Sequence, residues 1–333
     1  MIDEVSVTHT RIGLIGLGAY VPSRIMTNDE WAAYVDTSDE WIRSRTGIER
    51  RRIAAPDEST ADLAVAAARS ALVDAKLTAA EIDEIIVASD TPEVYTPDTA
   101  SFVQHRLGAR PVPAFDLGGS GCAGFVLALD VARSRAREGG RRILVIGVEL
   151  ITRLMNWRDR NTCVLFGDAA GAAVVGPAQG EILAATAGTD GSQAGILHLE
   201  VGGTRKPFSP EVAAQGLHQN LVMRGREVFR EATHHMVAAA HAVLAQARIP
   251  LEEVALVVPH QANLRIIEAV RNSLHLPADK VFVNVQEYGN TGSASVPLAL
   301  WEAREQGRVR SGDVVLLTAF GAGFHWAAML LRL

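Results

Sequence analysis

The chain repeats itself, and that repeat narrows its fold more than any other feature. "GFVLALDVARSRAREGGRRILVIG" and "SVPLALWEAREQGRVRSGDVVLLT" align so that Leu127, Ala128, Leu129, Ala132, Arg133 and Arg137 recur 171 positions on. The counterparts are Leu298, Ala299, Leu300, Ala303, Arg304 and Arg308. At the same offset Glu81 falls on Glu252, and "IIVAS" at 85–89 falls on "LVVPH" at 256–260. Three separated segments share one offset without a gap, which chance explains poorly, and the period is far longer than a solenoid's. The 333 residues therefore divide into two related halves, 1–178 and 179–333.

Each half has the same order of signals. A helix (61–76, or 226–248) leads to a short acidic turn; in the first half Thr78 and Glu81 have capping-box spacing. A buried aliphatic strand follows, then a strand–turn–helix, then "ILVIG" or "VVLLT". Continuous aliphatic runs alternating with helices predict an α/β protein whose strands are largely parallel and covered on both faces. The two halves should pack about a pseudo-twofold axis. Abundant aliphatics and few aromatics (5%) suit a sizeable core of this kind. A net charge of −6 argues against a nucleic-acid binder, though basic residues can still gather at one entrance.

The run 314–331 is 18 residues without a formal charge, near the minimum for a membrane span. "FGAGFHW" interrupts it, so two buried strands joined by a glycine turn are expected. The opening "MIDEVSVTHT" lacks a basic region followed by an apolar core, and no signal peptide is read there. Two cysteines make no disulfide framework, which points to a reducing, cytoplasmic home.

The repeat also exposes an addition. "FGDAAGAAVV" resembles "FGAGFHWAAMLL", but Phe166 and Phe320 are only 154 positions apart. About 17 extra residues therefore precede the first copy, around "TRLMNWRDRNT" with Arg153, Arg158 and Arg160. A polar insertion on a buried scaffold is either a binding loop or a solvated one.

Chemistry gathers where the halves correspond. Cys122 falls on Ser293, and "GGSGC" on "GNTGS", both small-residue turns leading into an apolar helix. There the helix dipole would favour a thiolate, and small neighbours would let a carbonyl approach free N–H groups. An inert core cysteine is the alternative. His260 lies just past the carboxyl end of its strand, where ligands of α/β sheets bind, but a structural histidine fits equally. Asn290 reads as a turn residue when taken alone. All three occupy end-of-strand turns, so they plausibly converge as a nucleophile with two hydrogen-bond donors. "GLIGLGAY" has Val21 where a dinucleotide fingerprint needs glycine. His234 and His235 are adjacent on a helix, and neither cysteine has a Cys-x-x-Cys partner, so no metal site is expected.

Together these residues resemble β-ketoacyl-acyl carrier protein synthase III of the thiolase superfamily. The likeness runs through "VDTSDEWIRSRTGI", "CAGF", "FGDAAGAAV", "VPHQANLRII", "GNTGSASVP" and "FGAGFHW". It implies a five-layered αβαβα thiolase fold, which the repeat supports independently. It implies that Cys122 takes an acyl group from acyl-CoA, and that His260 and Asn290 stabilise the enolate formed as malonyl-acyl carrier protein loses carbon dioxide. The N–H groups of Cys122 and Ala322 would hold the oxyanion. Trp41 and Arg160 would sandwich the CoA adenine, with Thr37 and Arg45 nearby. Asn263 would line the pantetheine tunnel, Thr96 and Phe320 the substrate path, and Arg265 with Arg230 would receive the carrier protein. The resemblance implies a homodimer and no metal or redox cofactor, acyl-CoA being a substrate.

Three departures stand out. Five residues separate Asp116 from Cys122, where the family usually has four. Thr96 stands where acetyl-preferring members carry a blocking phenylalanine, so a longer primer is expected. The basic patch beyond Arg265 is thin, with Arg271 alone in "EAVRNSLHL". A related synthase of specialised metabolism, an acyltransferase or thioesterase, and a silent carrier-protein-binding module are the competing readings.

Overall fold

The computed structural model describes residues 10–333; the polar opening segment lies almost wholly outside them. The first predicted helix spans Thr60–Ala75. Ser59 and Asp62 cap it reciprocally, and Lys76 ends it in the left-handed region (φ 55°). Its counterpart Gly225–Ala247 stops in the same way at Arg248 (φ 56°).

Beside two small two-stranded sheets, Arg24–Thr27 with Arg50–Ile53 and Leu197–Leu199 with Leu221–Met223, most of the strands form two large sheets. One runs in the order Ile12–Tyr20, Ala169–Pro177, Ile143–Glu149, Glu84–Ala88, Ala114–Leu117. The other runs Glu181–Thr189, His325–Arg332, Val314–Gly321, Val254–Pro259. In place of a fifth strand the second sheet has a single parallel bridge, Val257 to Val281. The 171-residue register survives because length changes compensate. The second half spends five fewer residues before this bridge and five more between it and the following turn, partly in the short helix Val285–Tyr288.

Helices Gly124–Arg137 and Ser295–Glu305 lie between the sheets. Phe125, Leu129, Val296 and Leu300 pack there with Val145 of one sheet and Leu317 of the other. Thr60–Ala75 and Thr99–Leu107 cover the outer face of the first sheet. Gly225–Ala247 and Leu264–Ser273 cover that of the second. The result is the expected five-layered αβαβα arrangement.

The expectation of largely parallel strands is corrected. Glu84–Ala88 is parallel to both its neighbours, and Val254–Pro259 to Val314–Gly321. Ala169–Pro177 and His325–Arg332 are each antiparallel to both of theirs. Burial on both faces makes any strand read as a continuous aliphatic run, whichever way it points. The three residues Ala322–Phe324 return the chain directly, so Val314–Gly321 and His325–Arg332 pair antiparallel instead of spanning a membrane. Among the described residues no helix is long and apolar enough to cross one.

The insertion occupies 150–168, where the second half has only that short turn. Its ends are tied down by buried Asp168, which accepts from Ala54 N at 2.8 Å and from Thr152 Oγ1 at 2.7 Å. Met155, Cys163 and Val164 are buried beneath it.

Candidate active site

A cavity of about 880 Å³ opens where the two halves meet, and Cys122, His260, Asn290 and Ala322 all line it. Cys122 sits in the single turn Gly121–Ala123, just before the helix Gly124–Arg137. Gly121 has φ 57°, and a Cβ there would fall 2.4 Å from Ala322 N. A Cβ on Gly321 would fall 2.3 Å from Cys122 N. Glycine at both positions therefore lets the Cys122 turn lie against the Ala322 backbone.

His260 follows the strand Val254–Pro259 and is almost wholly buried. Its backbone N–H donates to Thr318 O at 2.8 Å, and its Nδ1 lies 2.5 Å from Ser295 Oγ. Ser295 Oγ also accepts from Gln261 N. Donation from the Ser295 hydroxyl to Nδ1 is the arrangement that places the ring proton on Nε2. Burial holds the imidazole at a pKa of about 3, so it is neutral at physiological pH.

The backbone of Asn290 is pinned on both sides, N–H to Leu165 O at 2.8 Å and C=O to Gly167 N at 3.0 Å. Its Oδ1 accepts from Gly292 N at 2.9 Å, which leaves the side-chain amide N–H₂ as the free donor. Cys122 Sγ lies 3.9 Å from that Oδ1. The turns thus bring thiol, imidazole and amide to one cavity, as the repeat suggested.

The electrostatics differ from the sequence expectation. A helix start would favour thiolate, but burial raises the Cys122 pKa, and the neighbouring Asp90 carboxylate raises it further. At rest Cys122 is a thiol.

Residues 115–191 match the family 3-oxoacyl-[acyl-carrier-protein (ACP)] synthase III, and residues 244–333 match its C-terminal domain. Beta-ketoacyl-[acyl-carrier-protein] synthase III of Roseiflexus castenholzii is 48% identical, across 96% of this chain and 97% of its own. This chain belongs to the synthase III family. The corresponding protein of Caldanaerobacter subterraneus is 46% identical over the same shares. Among solved structures, 3-oxoacyl-[acyl-carrier-protein] synthase III of Aquifex aeolicus superposes with a TM-score of 0.89 at 44% identity, covering 97% of this chain and 100% of that one. The priming β-ketosynthase of the R1128 polyketide pathway gives 0.90 at 38% identity, covering 98% and 97%.

The other family positions fall into two groups. Arg45, Asn263, Arg265 and Phe320 line the cavity with the triad. Asn263 caps helix Leu264–Ser273, and its side-chain N–H donates to Arg45 O at 3.3 Å. Arg265 donates to Ser44 O at 2.9 Å. Trp41 and Arg160 stand outside that wall. The guanidinium groups of Arg45 and Arg160 each lie 4.5 Å from the Trp41 ring centroid. Arg160 is held there by Asp36 O at 2.6 Å, so a ring entering between Trp41 and Arg160 has to displace the arginine. Thr37 has a buried hydroxyl with no hydrogen-bond partner among the described residues. Thr96 is exposed on a loop beside Tyr95 and is not part of its own chain's cavity wall. Arg230 is exposed and paired with Glu231 at 2.7 Å. Arg271 is paired with Glu268 at 2.6 Å.

Sequence reasoning missed Asp90, Glu149 and Ser295. Asp90 lines the cavity, Glu149 is buried behind it, and Ser295 orients His260. The repeat carried a signal for the first, because Asp90 stands opposite Gln261 at the 171 offset. No three-residue metal-ligand cluster is present among the described residues.

Proposed function

We propose that this protein condenses an acyl-CoA primer with malonyl-acyl carrier protein, with loss of carbon dioxide, to give a β-ketoacyl-acyl carrier protein and begin fatty acid synthesis. The convergence of Cys122, His260 and Asn290 in one cavity of a synthase III family member carries the reading. In the first half-reaction Cys122 Sγ attacks the acyl-CoA carbonyl. An Sγ–C bond forms, the C–S bond to CoA breaks, and the thiol proton leaves with CoA. In the second, malonyl-acyl carrier protein loses carbon dioxide. His260 Nε2–H and the Asn290 amide donate to its thioester oxygen while the enolate builds up. Two neutral donors suit this step, since decarboxylation, not a base, makes the nucleophile. The carbanion attacks the acyl carbon, the Sγ–C bond breaks, and the departing thiolate takes a proton from solvent to restore the Cys122 thiol. The Cys122 and Ala322 N–H groups stabilise both tetrahedral oxyanions.

CoA lies along Trp41, Arg45 and Arg160, with Thr37 beside the adenine site, and reaches the thiol past Asn263 and Phe320. Arg265 and Arg230 receive the carrier protein. The enzyme works as a cytoplasmic homodimer without a metal or redox cofactor. Its exposed loop at Val94–Thr96 closes the partner's acyl pocket, and Thr96 leaves room there for a primer longer than acetyl. The junction of the halves falls near residue 178. A synthase that primes a polyketide is the second reading, favoured by the likeness to the R1128 priming enzyme.

Intact-mass analysis after exposure to a chain-length series of acyl-CoAs tests the core claim. Wild type gains one acyl group and Cys122→Ala gains none; a loaded Cys122→Ala protein overturns the mechanism. A sharp acetyl optimum removes the longer-primer reading. Turnover with malonyl-CoA but not malonyl-acyl carrier protein favours the polyketide reading.

A further inference from the structure

Behind the nucleophile lies a pair of carboxyl groups that the mechanism above does not use. Asp90 stands just beyond the strand Glu84–Ala88 and lines the cavity; Glu149 ends the neighbouring strand and is 1% exposed. Asp90 N donates to Glu149 at 3.0 Å, and Asp90 Oδ1 accepts from Gly121 N at 3.3 Å. Gly119 N–H also bonds the Asp90 carboxylate. On its far side Glu149 meets the Asn290 turn, 2.9 Å from Ser293 Oγ. A Cβ on Gly292 would fall 2.5 Å from Glu149 Cγ. One connected unit therefore ties the two catalytic turns together.

The proton count within it is decided by Ser293. Its Oγ lies 2.8 Å from Ala88 O and 2.9 Å from Glu149 Oε1. A hydroxyl has one proton, and a carbonyl can only accept. The Ser293 proton therefore goes to Ala88 O, and the second contact is made by a proton on Glu149. Burial agrees, pushing the Glu149 carboxyl up to about 8. Burial raises the Asp90 carboxyl as well, but two backbone N–H groups donate to it and oppose that rise, so of the pair it is Asp90 that keeps the negative charge. The groups that bear on Cys122 are thus Asp90 (itself faced by His325), protonated Glu149 and neutral His260.

The repeat supplies the comparison. Gln261, opposite Asp90, accepts from Asn284 N at 2.9 Å through Oε1 and donates to Pro259 O and Phe282 O. It ties its own half's loop with a neutral amide. The first half does the same work with a carboxylate, at the turn that carries the extra residue of "DLGGSGC".

We propose that Asp90 is a positioning residue for the nucleophile: its carboxylate holds the Gly119–Gly121 turn, and with it Cys122, in register with the Asn290 turn. Its charge adds to burial in holding Cys122 as a thiol. The inference rests on Cys122 being the nucleophile, and alkylation tests it apart from condensation. Full-length wild type, Asp90→Asn and Asp90→Ala are treated with iodoacetamide across pH, with peptide mapping to separate Cys122 from buried Cys163. Acyl loading is measured alongside. Asp90→Asn keeps an acceptor but loses the charge. It should move the Cys122 alkylation inflection down by about one pH unit and leave the acyl-CoA KM within about twofold. Asp90→Ala should show the same shift and lose a further ~10-fold in loading rate, since the turn is no longer held. An unshifted profile in Asp90→Asn overturns the proposal, as does a loss confined to KM. Should Asp90→Ala fail to fold, the isosteric Asp90→Asn decides alone.

Discussion

The turns at Gly121–Cys122 and Gly292–Ser293 are the same backbone used twice. Both glycines have φ 57°, and both precede a helix of the central layer. Their surroundings differ. The first turn opens on the cavity and presses against the Ala322 backbone. The second is closed, with Ser293 1% exposed and its glycine packed against the Glu149 side chain. Duplication thus provided two strand-to-helix turns. One became the mouth that opens on the cavity, while the other became a buried anchor beside Asn290. What distinguishes them is what each backbone touches: rigid main chain at one, a side chain at the other.

Alanine at the glycines should break this comparison most sharply. Gly121→Ala demands left-handed backbone and puts a Cβ 2.4 Å from main-chain nitrogen, which cannot step aside. A stability loss of roughly 3 kcal/mol and a ~100-fold fall in acyl loading are expected, read by thermal unfolding and intact mass. Gly292→Ala has the same φ but meets a side chain, so a loss of about 1–2 kcal/mol with loading largely kept is expected. Gly119→Ala, at φ 70° with no atom within 4 Å, should cost only about 1 kcal/mol. Equal losses at Gly121 and Gly292 would remove the distinction between mouth and anchor.

A smaller effect separates the two half-reactions. Ser295→Ala takes the donor from His260 Nδ1 and frees the ring to carry its proton there instead of on Nε2. Condensation should fall ~10-fold while loading of Cys122 holds, because in the proposed mechanism the imidazole serves the decarboxylation step. Stopped-time loading against steady-state turnover checks this. Equal loss in both steps would mean that His260 acts on the acyl transfer as well.

These contrasts also mark where sequence reading stops. The repeat made the two-sheet, five-layer plan legible, because helix and strand periods survive duplication. It also placed Cys122, His260 and Asn290 at matching turns. Strand direction was not legible: a strand buried on both faces is aliphatic either way, and the three-residue return at Ala322–Phe324 looks like any glycine turn. Nor was the charge on Cys122. A helix start is local and readable, whereas the opposing carboxyls come from Asp90 and Glu149, distant in sequence and brought together only by the sheet. Ser295 was invisible for the same reason, one more small residue in "GNTGSASVP" until the helix turned it toward His260.

The subtlest test asks whether the two turns really differ in electrostatics. The Glu149 pKa rises from 4.5 to about 8, through burial and then the Asp90 charge. A carboxyl raised in this way contributes stability that is complete below pH 4.5 and is lost as pH climbs through about 8, because the folded state must hold a proton that the unfolded chain has given up. Each unit of such a shift is worth about 1.4 kcal/mol. Glu149→Gln mimics the protonated acid, with its amide N–H₂ donating to Ser293 Oγ. The variant and wild type should therefore melt together near pH 5 and separate by several degrees, variant higher, by pH 8.5. Buried neutral His260 works in the opposite direction: its contribution is present above pH 6.5 and fades as pH falls toward 3. It does so equally in both proteins and cancels in the difference. Parallel melting curves would mean that Glu149 is ionised in the fold and that Ser293 gives its proton to the carboxylate. The first turn would then sit beside two charges instead of one, and the contrast between mouth and anchor would be one of packing alone.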